Sequence, residues 1–433
     1  MLLRPLATIL RNLLGPPRDP LPYQFSCLRR LIAHTWKHNS CISSWWRDAG
    51  LAPAPLTSLD DLRRYPITRK SQYQASSLEV LLSDDFRNAT LKKTATSGST
   101  AVPLAIYRTR LEDLVLSSFR LRTYFGYGLG WFDRRATMRT GLNAAFGDRS
   151  DRDREPWMNL GLLRQEYVSH VELEPPEALL RLKELRPDVI GGHADGIYRL
   201  ALELPETGLR SLGLKFMTAG VQTVTPEMRA RISRAFGCPL YVTYGASEFN
   251  MLAAQCPQTG LFHLNEEGAY VEVLRDGKPV RDGEEGEVFA TNLHAYAIPY
   301  VRYALDDWAT IGPERCPCGA PVRTLREIQG RIAEFFHFSD GRRIHPFQLI
   351  NPLLEFIGWL REYRMVQTSR AEVEVWYTVL PGAPPRDPAS VAIEHAVGSA
   401  AGPAVRIRAV PMDSLPPASK GKNRMFEALP PER

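Results

Sequence analysis

The sequence predicts an α/β fold: a large N-terminal α/β domain with a β-rich subdomain, followed by a small α+β C-terminal lid domain. Between residues 187 and 244, short apolar runs ending in glycine alternate with a helical pattern, which favours parallel strands joined by helices. From 268 to 312 the pattern changes to alternating strand segments around a tight turn. At 433 residues the chain exceeds a usual single core, and beyond Gly330 a smaller run of strands and one helix begins. The expected division is 1–329 and 330–433.

Taken in order, residues 23–50 are rich in Trp, Leu, Ile and His at helical spacing. After the Pro-rich break at 52–56, Ser58-Leu59-Asp60-Asp61-Leu62 reads as a capped helix start. Pro187 to Gly192 and Leu214 to Gly220 read as buried strands, and Pro239 to Tyr244 as a third. Between the last two, Thr225-Pro226-Glu227 opens a helix: a hydroxyl cap, a proline where no N–H is needed, and an acid at the positive end of the dipole. Ala269 to Leu274 and Gly286 to Thr291 flank an Asp276-Gly277 hairpin turn. In the C-terminal unit, Glu372 to Tyr377 and Val405 to Val410 are strand-like, with a Pro-rich loop at 381–388 and a helix at 389–400 between them.

Composition excludes several classes. The formal charge of +6 is small, and its basic residues are dispersed, which argues against nucleic-acid binding and suits an anionic small substrate. No apolar run approaches the roughly 20 residues of a membrane span. Met1 to Gly15 mixes Leu and Ile with Arg4 and Arg11, and Arg11-Asn12 breaks the run a signal peptide needs. It reads as an amphipathic helix on the domain surface. A cytoplasmic chain is expected, and a homodimer is compatible with it.

Three segments carry chemistry. Thr94-Ala95-Thr96-Ser97-Gly98-Ser99-Thr100-Ala101-Val102-Pro103 offers hydroxyl and backbone donors around a glycine, which a polyphosphate needs; alone it is equally a polar surface loop. Tyr241-Val242-Thr243-Tyr244-Gly245-Ala246-Ser247-Glu248 runs a strand into a tight turn and a carboxylate. That carboxylate is either a magnesium ligand or an acid at a helix N-terminus. Arg302-Tyr303-Ala304-Leu305-Asp306-Asp307-Trp308 puts a carboxylate after a strand, suited to two ribose hydroxyls or to an Asp-rich turn.

In this order, followed by Gly330-Arg331 and Gly421-Lys422-Asn423-Arg424, the segments resemble the adenylate-forming superfamily of acyl-CoA synthetases, peptide-synthetase adenylation domains and luciferases. The likeness is to the phenylacetate-CoA ligase branch, including its capsule-biosynthesis relatives, from about residue 55 onward. Gly283-Glu284-Glu285-Gly286-Glu287, Ile298-Pro299-Tyr300-Val301-Arg302-Tyr303 and Pro346-Phe347-Gln348 add to it. The resemblance implies ATP-dependent conversion of a carboxylic acid, aryl or otherwise bulky, to an acyl-AMP. The acyl group then passes to coenzyme A or, alternatively, to a carrier protein or an amine; a non-catalytic nucleotide-binding relative is the other reading. By the same resemblance, Thr96, Ser97, Gly98, Ser99 and Thr100 hold the phosphates. Ala219, Gly220, Val221 and Gln222 lie beside the adenine, with Tyr244, Gly245, Ala246 and Ser247. Glu248 binds Mg2+, Asp307 grips the ribose, Arg331 sits at the hinge, and Lys422 reaches the reacting carboxylate and α-phosphate. The catalytic group is therefore expected to be Lys422, Glu248 and Thr100. Departures are Ala101 and Val102 where Gly and then often Lys are usual, Gln222 for Glu, and Ala333 for the hinge Asp, with Glu334 just after. We read these as tuning.

Cys256, His263, Cys316 and Cys318 supply three thiols and an imidazole, a set suited to tetrahedral zinc, while buried core cysteines give the same sequence. Some members of the resembled branch look as if they carry zinc at matching places, and a four-ligand site is structural. Cys27, Cys41 and Cys238 have no partners at ligand spacing. His193, at a strand end, either faces the acyl pocket or is an ordinary satisfied histidine, and His345 reads as structural. No Ser/His/Asp set has a distinguishing local sequence.

Overall fold

Thr225 caps its helix as the sequence predicts. Its hydroxyl accepts the Met228 backbone N–H, Pro226 opens the first turn, and the helix leads the chain from one parallel strand to the next. The computed structural model describes residues 3–13, 15, 19–95, 104–139, 163–169, 173–220, 224–331, 336–344, 349, 351–356, 359–380, 382–416 and 426–429. The longer helices of the large part are α1 (Leu3–Leu13), α2 (Leu21–His38), α3 (Ser40–Asp48), α4 (Arg110–Gly126), α5 (Pro175–Leu185), α6 (Ala194–Glu203) and α7 (Pro226–Phe236).

Strands β1 (Leu91–Ala95) and β2 (Ala105–Thr109) form an antiparallel hairpin. The parallel half of the main sheet comprises β3 (Arg135–Arg139), β4 (Gln165–Ser169), β5 (Val189–His193), β6 (Phe216–Gly220) and β7 (Leu240–Tyr244), in the order β4-β3-β5-β6-β7. Helices cover these strands, so apolar residues fill both faces. Ile190, Met217 and Leu240 pack with Ile197, Met228 and Ile232 in one core.

At β7 the sheet changes sense. Its neighbour β8 (Ala253–Gln255) is antiparallel, and the ladder continues through β9 (Phe262–Leu264), β14 (Thr324–Arg331), β13 (Tyr303–Ile311), β12 (Glu285–Asn292), β10 (Ala269–Arg275) and β11 (Lys278–Pro279). The predicted hairpin turn is present: Asp276 and Gly277 both have positive φ, as a type I′ hairpin turn requires. The switch point at β7 matters for function, because ligands of open α/β sheets collect beyond strand C-terminal ends.

A second sheet lies C-terminal to these, in the order β19-β18-β17-β20: β17 (Leu360–Ser369), β18 (Glu372–Val379), β19 (Arg406–Pro411) and β20 (Phe426–Glu427). Helix α8 (Arg386–Ala401) crosses between the parallel strands β18 and β19, burying Ile393 and Val397 against Val373 and Val375. A two-strand ribbon, β15 (Phe336–His337) with β16 (Arg343–Ile344), precedes it. The C-terminal sheet meets the large part at α6 and α7. Arg361 pairs with Glu203 at 3.8 Å, Arg231 donates to the Leu360 carbonyl, and Tyr363 is buried beside Glu227 and Tyr198. Burial pushes the Glu227 carboxyl up, and Tyr198 donates to it at 3.1 Å.

Two expectations at the N-terminal end turn out differently from each other. Helix α1 packs on α4, with Asn12 bonded to Ser118 at 2.7 Å and Arg11 paired with Glu267 at 3.0 Å. It is a docked amphipathic helix, as read. The helix expected from Ser58 is only a 3-10 turn over Asp60–Arg64. The Asp61 carboxylate reaches back to the N–H groups of Thr57 and Ser58 and closes the turn on itself, and Pro66 follows before a helix can propagate.

Candidate active site at the end of strand β7

The chain turns sharply after Tyr244 because Gly245 has no side chain. A Cβ there would meet the Asn250 carbonyl oxygen at 2.0 Å, and the Phe249 and Asn250 N–H groups both donate to the Ala246 carbonyl. The turn carries Ser247 and Glu248 beyond the end of the parallel strands and returns the chain as β8.

Two tyrosines tie this turn to β13. Tyr244 donates to Asp307 Oδ2 at 2.8 Å, and Tyr303 donates to Glu248 Oε1 at 2.8 Å. Glu248 is only 5% exposed, and Asn292 donates to its backbone carbonyl at 2.7 Å, so main chain and carboxylate are both fixed. Burial pushes the Tyr303 hydroxyl well up, and the neighbouring Glu248 charge adds to this, so the phenol keeps its proton and donates. Asp307 lies opposite Arg331 in the β13–β14 ladder, which brings the backbone of Arg331 to the same edge.

The β1–β2 hairpin, between whose strands the hydroxyl-rich segment runs in sequence, reaches this place. Ala95 and Ala105 are its last pair, and Arg108, three residues along β2, donates to the Ser247 carbonyl and pairs with Asp113 at 3.7 Å. A small cavity beside the turn is lined by Arg108, Glu112, Glu248, Asn292 and Tyr300. Glu112 closes one wall, its carboxylate accepting from the Thr109, Tyr296 and Ala297 N–H groups. At the end of the neighbouring strand β6, Ala219 pairs with Val242, and Gly220 admits Thr243, whose Oγ1 lies 2.8 Å from where a Cβ would stand.

Among the sequence-derived candidates, the structure therefore brings together Ala219, Gly220, Tyr244, Gly245, Ala246, Ser247, Glu248, Asp307 and the backbone of Arg331. Thr96, Ser97, Gly98, Ser99, Thr100, Val221, Gln222 and Lys422 lie outside the described residues, as do Ala333 and His345. His193 ends β5 opposite Gly220. Sequence reading missed Arg108, Glu112 and Asn292 and gave Tyr303 no role. Arg108 and Glu112 sit in the polar stretch Arg108-Thr109-Arg110-Leu111-Glu112-Asp113, and nothing local singles out either of them or Asn292. A buried and a half-buried carboxylate, each held by a tyrosine hydroxyl at a strand end, suit a hard cation and a sugar diol.

A second constellation lies at the far end of the β8–β9 hairpin. One ligand atom from each of Cys256, His263, Cys316 and Cys318 falls within 4.8 Å of the others. Cys318 Sγ is 3.4 Å from His263 Nε2, and no disulfide engages any of the thiols. His263 is held in β9 between β8 and β14, while Gly260 and Gly319 close the two cysteine turns with N–H bonds to the Cys256 and Cys316 carbonyls. Burial lowers the His263 pKa, which keeps its lone pair available. Burial alone raises the Cys256 thiol, but hydrogen bonds from Thr259 and Gln258 outweigh it and bring the pKa down. Such a donor set fits a tetrahedral zinc ion.

No family model matches the chain. Among curated proteins it is 24% identical to a phenylacetate-coenzyme A ligase of Thermus thermophilus over 370 residues, covering 81% of this chain and 79% of that protein. It is 24% identical to a phenylacetate-coenzyme A ligase of Escherichia coli K12 over 376 residues, covering 80% and 79%. Among solved structures, 2-hydroxyisobutyryl-CoA ligase in a postadenylation state with R3-HIB-AMP superposes with a TM-score of 0.77 at 19% identity, over 94% of this chain and 88% of that one. The same ligase in a thioesterification state with 2-HIB-AMP and CoA superposes with a TM-score of 0.63 at 21% identity, over 96% and 91%. Among the described residues, no helix is long and apolar enough to cross a membrane.

Proposed function

We infer that this chain, which belongs to the adenylate-forming superfamily in its phenylacetate-CoA ligase-like branch, activates a carboxylic acid with ATP and transfers the acyl group to coenzyme A. The observation that carries the reading is the pair of links Tyr303–Glu248 and Tyr244–Asp307, which join two distant segments at the end of the parallel strands.

In the first half-reaction a carboxylate oxygen of the acid attacks the α-phosphorus of ATP, and pyrophosphate leaves. We assign the Thr96–Thr100 loop to the β- and γ-phosphates, whose negative charge its hydroxyls and N–H groups meet. Because this loop lacks the usual lysine, we assign more of the hold to Arg108 of β2 and to backbone donors. Asp307, already accepting from Tyr244, is assigned to the ribose hydroxyls. Glu248 would hold Mg2+, which when bound neutralises phosphate charge. We assign Lys422 to the charge that gathers on carboxylate and phosphate as the new bond forms. In the second half-reaction the thiol of coenzyme A attacks the acyl carbon and AMP leaves. We divide the chain at about residue 330, with the C-terminal part acting as a lid that turns between the two steps. The two separate sheets and their separate cores support that division.

Acid-dependent exchange of labelled pyrophosphate into ATP tests the reading across a panel of aryl and branched acids. At least one acid should support exchange, and Lys422→Ala should lower it by about 10²-fold or more. Absence of exchange with every acid tried would favour a nucleotide-binding protein that does no chemistry.

We assign Cys256, His263, Cys316 and Cys318 to a structural zinc ion, since four protein ligands leave no open position. Elemental analysis should find about one zinc per chain at this cluster, lost in Cys316→Ser/Cys318→Ser. Retention of the same zinc content by that variant would remove the assignment. Reduced thiols clustered for metal accord with a cytoplasmic location.

A further inference from the structure

A second group of potential ligands lies away from the nucleotide cleft and from the cysteine cluster. His34 and His38 stand four residues apart on α2, hence on one face of the helix, and their ring centroids are 5.0 Å apart. Asp85, from the 3-10 turn Asp84–Phe86, brings its carboxylate 2.5 Å from His38 Nδ1. One ligand atom of each of the three residues lies within 4.8 Å of the other two.

The surrounding contacts orient these groups rather than leaving them as loose surface chains. His34 Nε2 is 3.1 Å from the Tyr296 carbonyl oxygen. A carbonyl only accepts, so Nε2 carries the proton and the neutral ring keeps its lone pair on Nδ1. Metal-binding histidines are commonly oriented by such a bond from the second nitrogen to a backbone carbonyl. Phe86 meets the His34 ring edge-on. The turn carrying Asp85 is pinned to the same scaffold: Ser83 N donates to the Ala297 carbonyl, Ser83 Oγ donates to the Tyr296 carbonyl, and Asn39 Nδ2 donates to Ser83 Oγ. The nearby Arg87 is engaged by Asp84, at 2.8 Å.

We propose that His34, His38 and Asp85 form a further metal site, taking one divalent first-row transition ion of the zinc type through two imidazole nitrogens and one carboxylate oxygen. Imidazole suits such ions, and the carboxylate offsets part of their charge. Three protein ligands leave the remaining positions to water. The ion takes the place of the N–H of a neutral His38 at Nδ1, the ring's proton moving to Nε2, and binding separates His38 Nδ1 and the Asp85 carboxylate to ligand spacing. Bound metal would join α2 to the segment before the β1–β2 hairpin, a link distinct from the cysteine cluster.

The full chain, stripped with a chelator and equilibrated against micromolar zinc by dialysis, tests the proposal by zinc content per chain. His38→Gln and Asp85→Asn leave the cysteine cluster untouched, so zinc bound there is common to all three proteins and cancels. Each variant should bind about one zinc fewer than the parent. Zinc should also raise the melting temperature of the chelator-stripped parent more than that of either variant. Two variants and circular dichroism separate loss of a ligand from loss of fold. Equal zinc content in the parent and both folded variants would overturn the proposal.

Discussion

Glu248→Gln lowers acid-dependent ATP–pyrophosphate exchange by about 10²–10³-fold, a loss of the size seen when one charge-stabilising group leaves an enclosed site. Glutamine keeps the length of the side chain, and its carbonyl can still accept from Tyr303, so the turn and the strand contacts survive. What disappears is the negative charge assigned to magnesium. The loss should therefore ease as magnesium is raised, while the unfolding midpoint in denaturant stays near that of the parent. Asn292, bonded to the Glu248 backbone rather than its carboxylate, keeps the main chain in place in the variant. Full exchange activity in Glu248→Gln at low magnesium would remove Glu248 from the reaction.

The second large effect is on stability. Arg302 lies under the site with about 6% of its side chain exposed, forked onto both Glu272 carboxylate oxygens at 3.0 and 3.1 Å. Its third nitrogen donates to the carbonyls of Arg63 and Tyr65. Arg302→Ala leaves the buried Glu272 charge without its partner and two carbonyls without their donor. The expected cost is about 3–5 kcal/mol in chemical denaturation. Removing Glu272 as well should recover part of that loss, because the pair costs most when only one member remains. Arg302 also immediately precedes the strand carrying Tyr303 and Asp307, with Thr68 bonded to the backbone on either side of it, so activity should fall with stability. A destabilisation below about 1 kcal/mol would show that this ion pair does not anchor the strand.

The parts of the fold legible in the sequence were those set by local rules. The Thr225-Pro226 start, the Asp276-Gly277 hairpin and the strands ending at Gly220 and Tyr244 each follow from residues adjacent in the chain. Ser58 to Leu62 misled because a local bond from Asp61 competes with helix formation, and composition does not reveal which wins. At the site, Glu248 and Asp307 stood out as carboxylates after strands. Arg108 did not, since its value comes from reaching Ser247, 139 residues away in sequence. Tyr303 was visible as part of a motif, but its bond to Glu248 spans 55 residues and follows only from the fold of the sheet. His34 and His38 share a helix face, yet Asp85 joins them only through the pinning of Ser83 to the 296–297 loop.

The claim beneath the functional reading is that ATP is cut at its innermost phosphorus by the acid. Incubating the protein with ATP, magnesium and an accepted acid, without coenzyme A, and identifying the nucleotide and acid products by mass spectrometry tests it directly. The expected products are an acyl-AMP of the acid's mass and pyrophosphate, the adenylate disappearing when coenzyme A is added. ADP with inorganic phosphate, or ATP left intact with every acid, would contradict it.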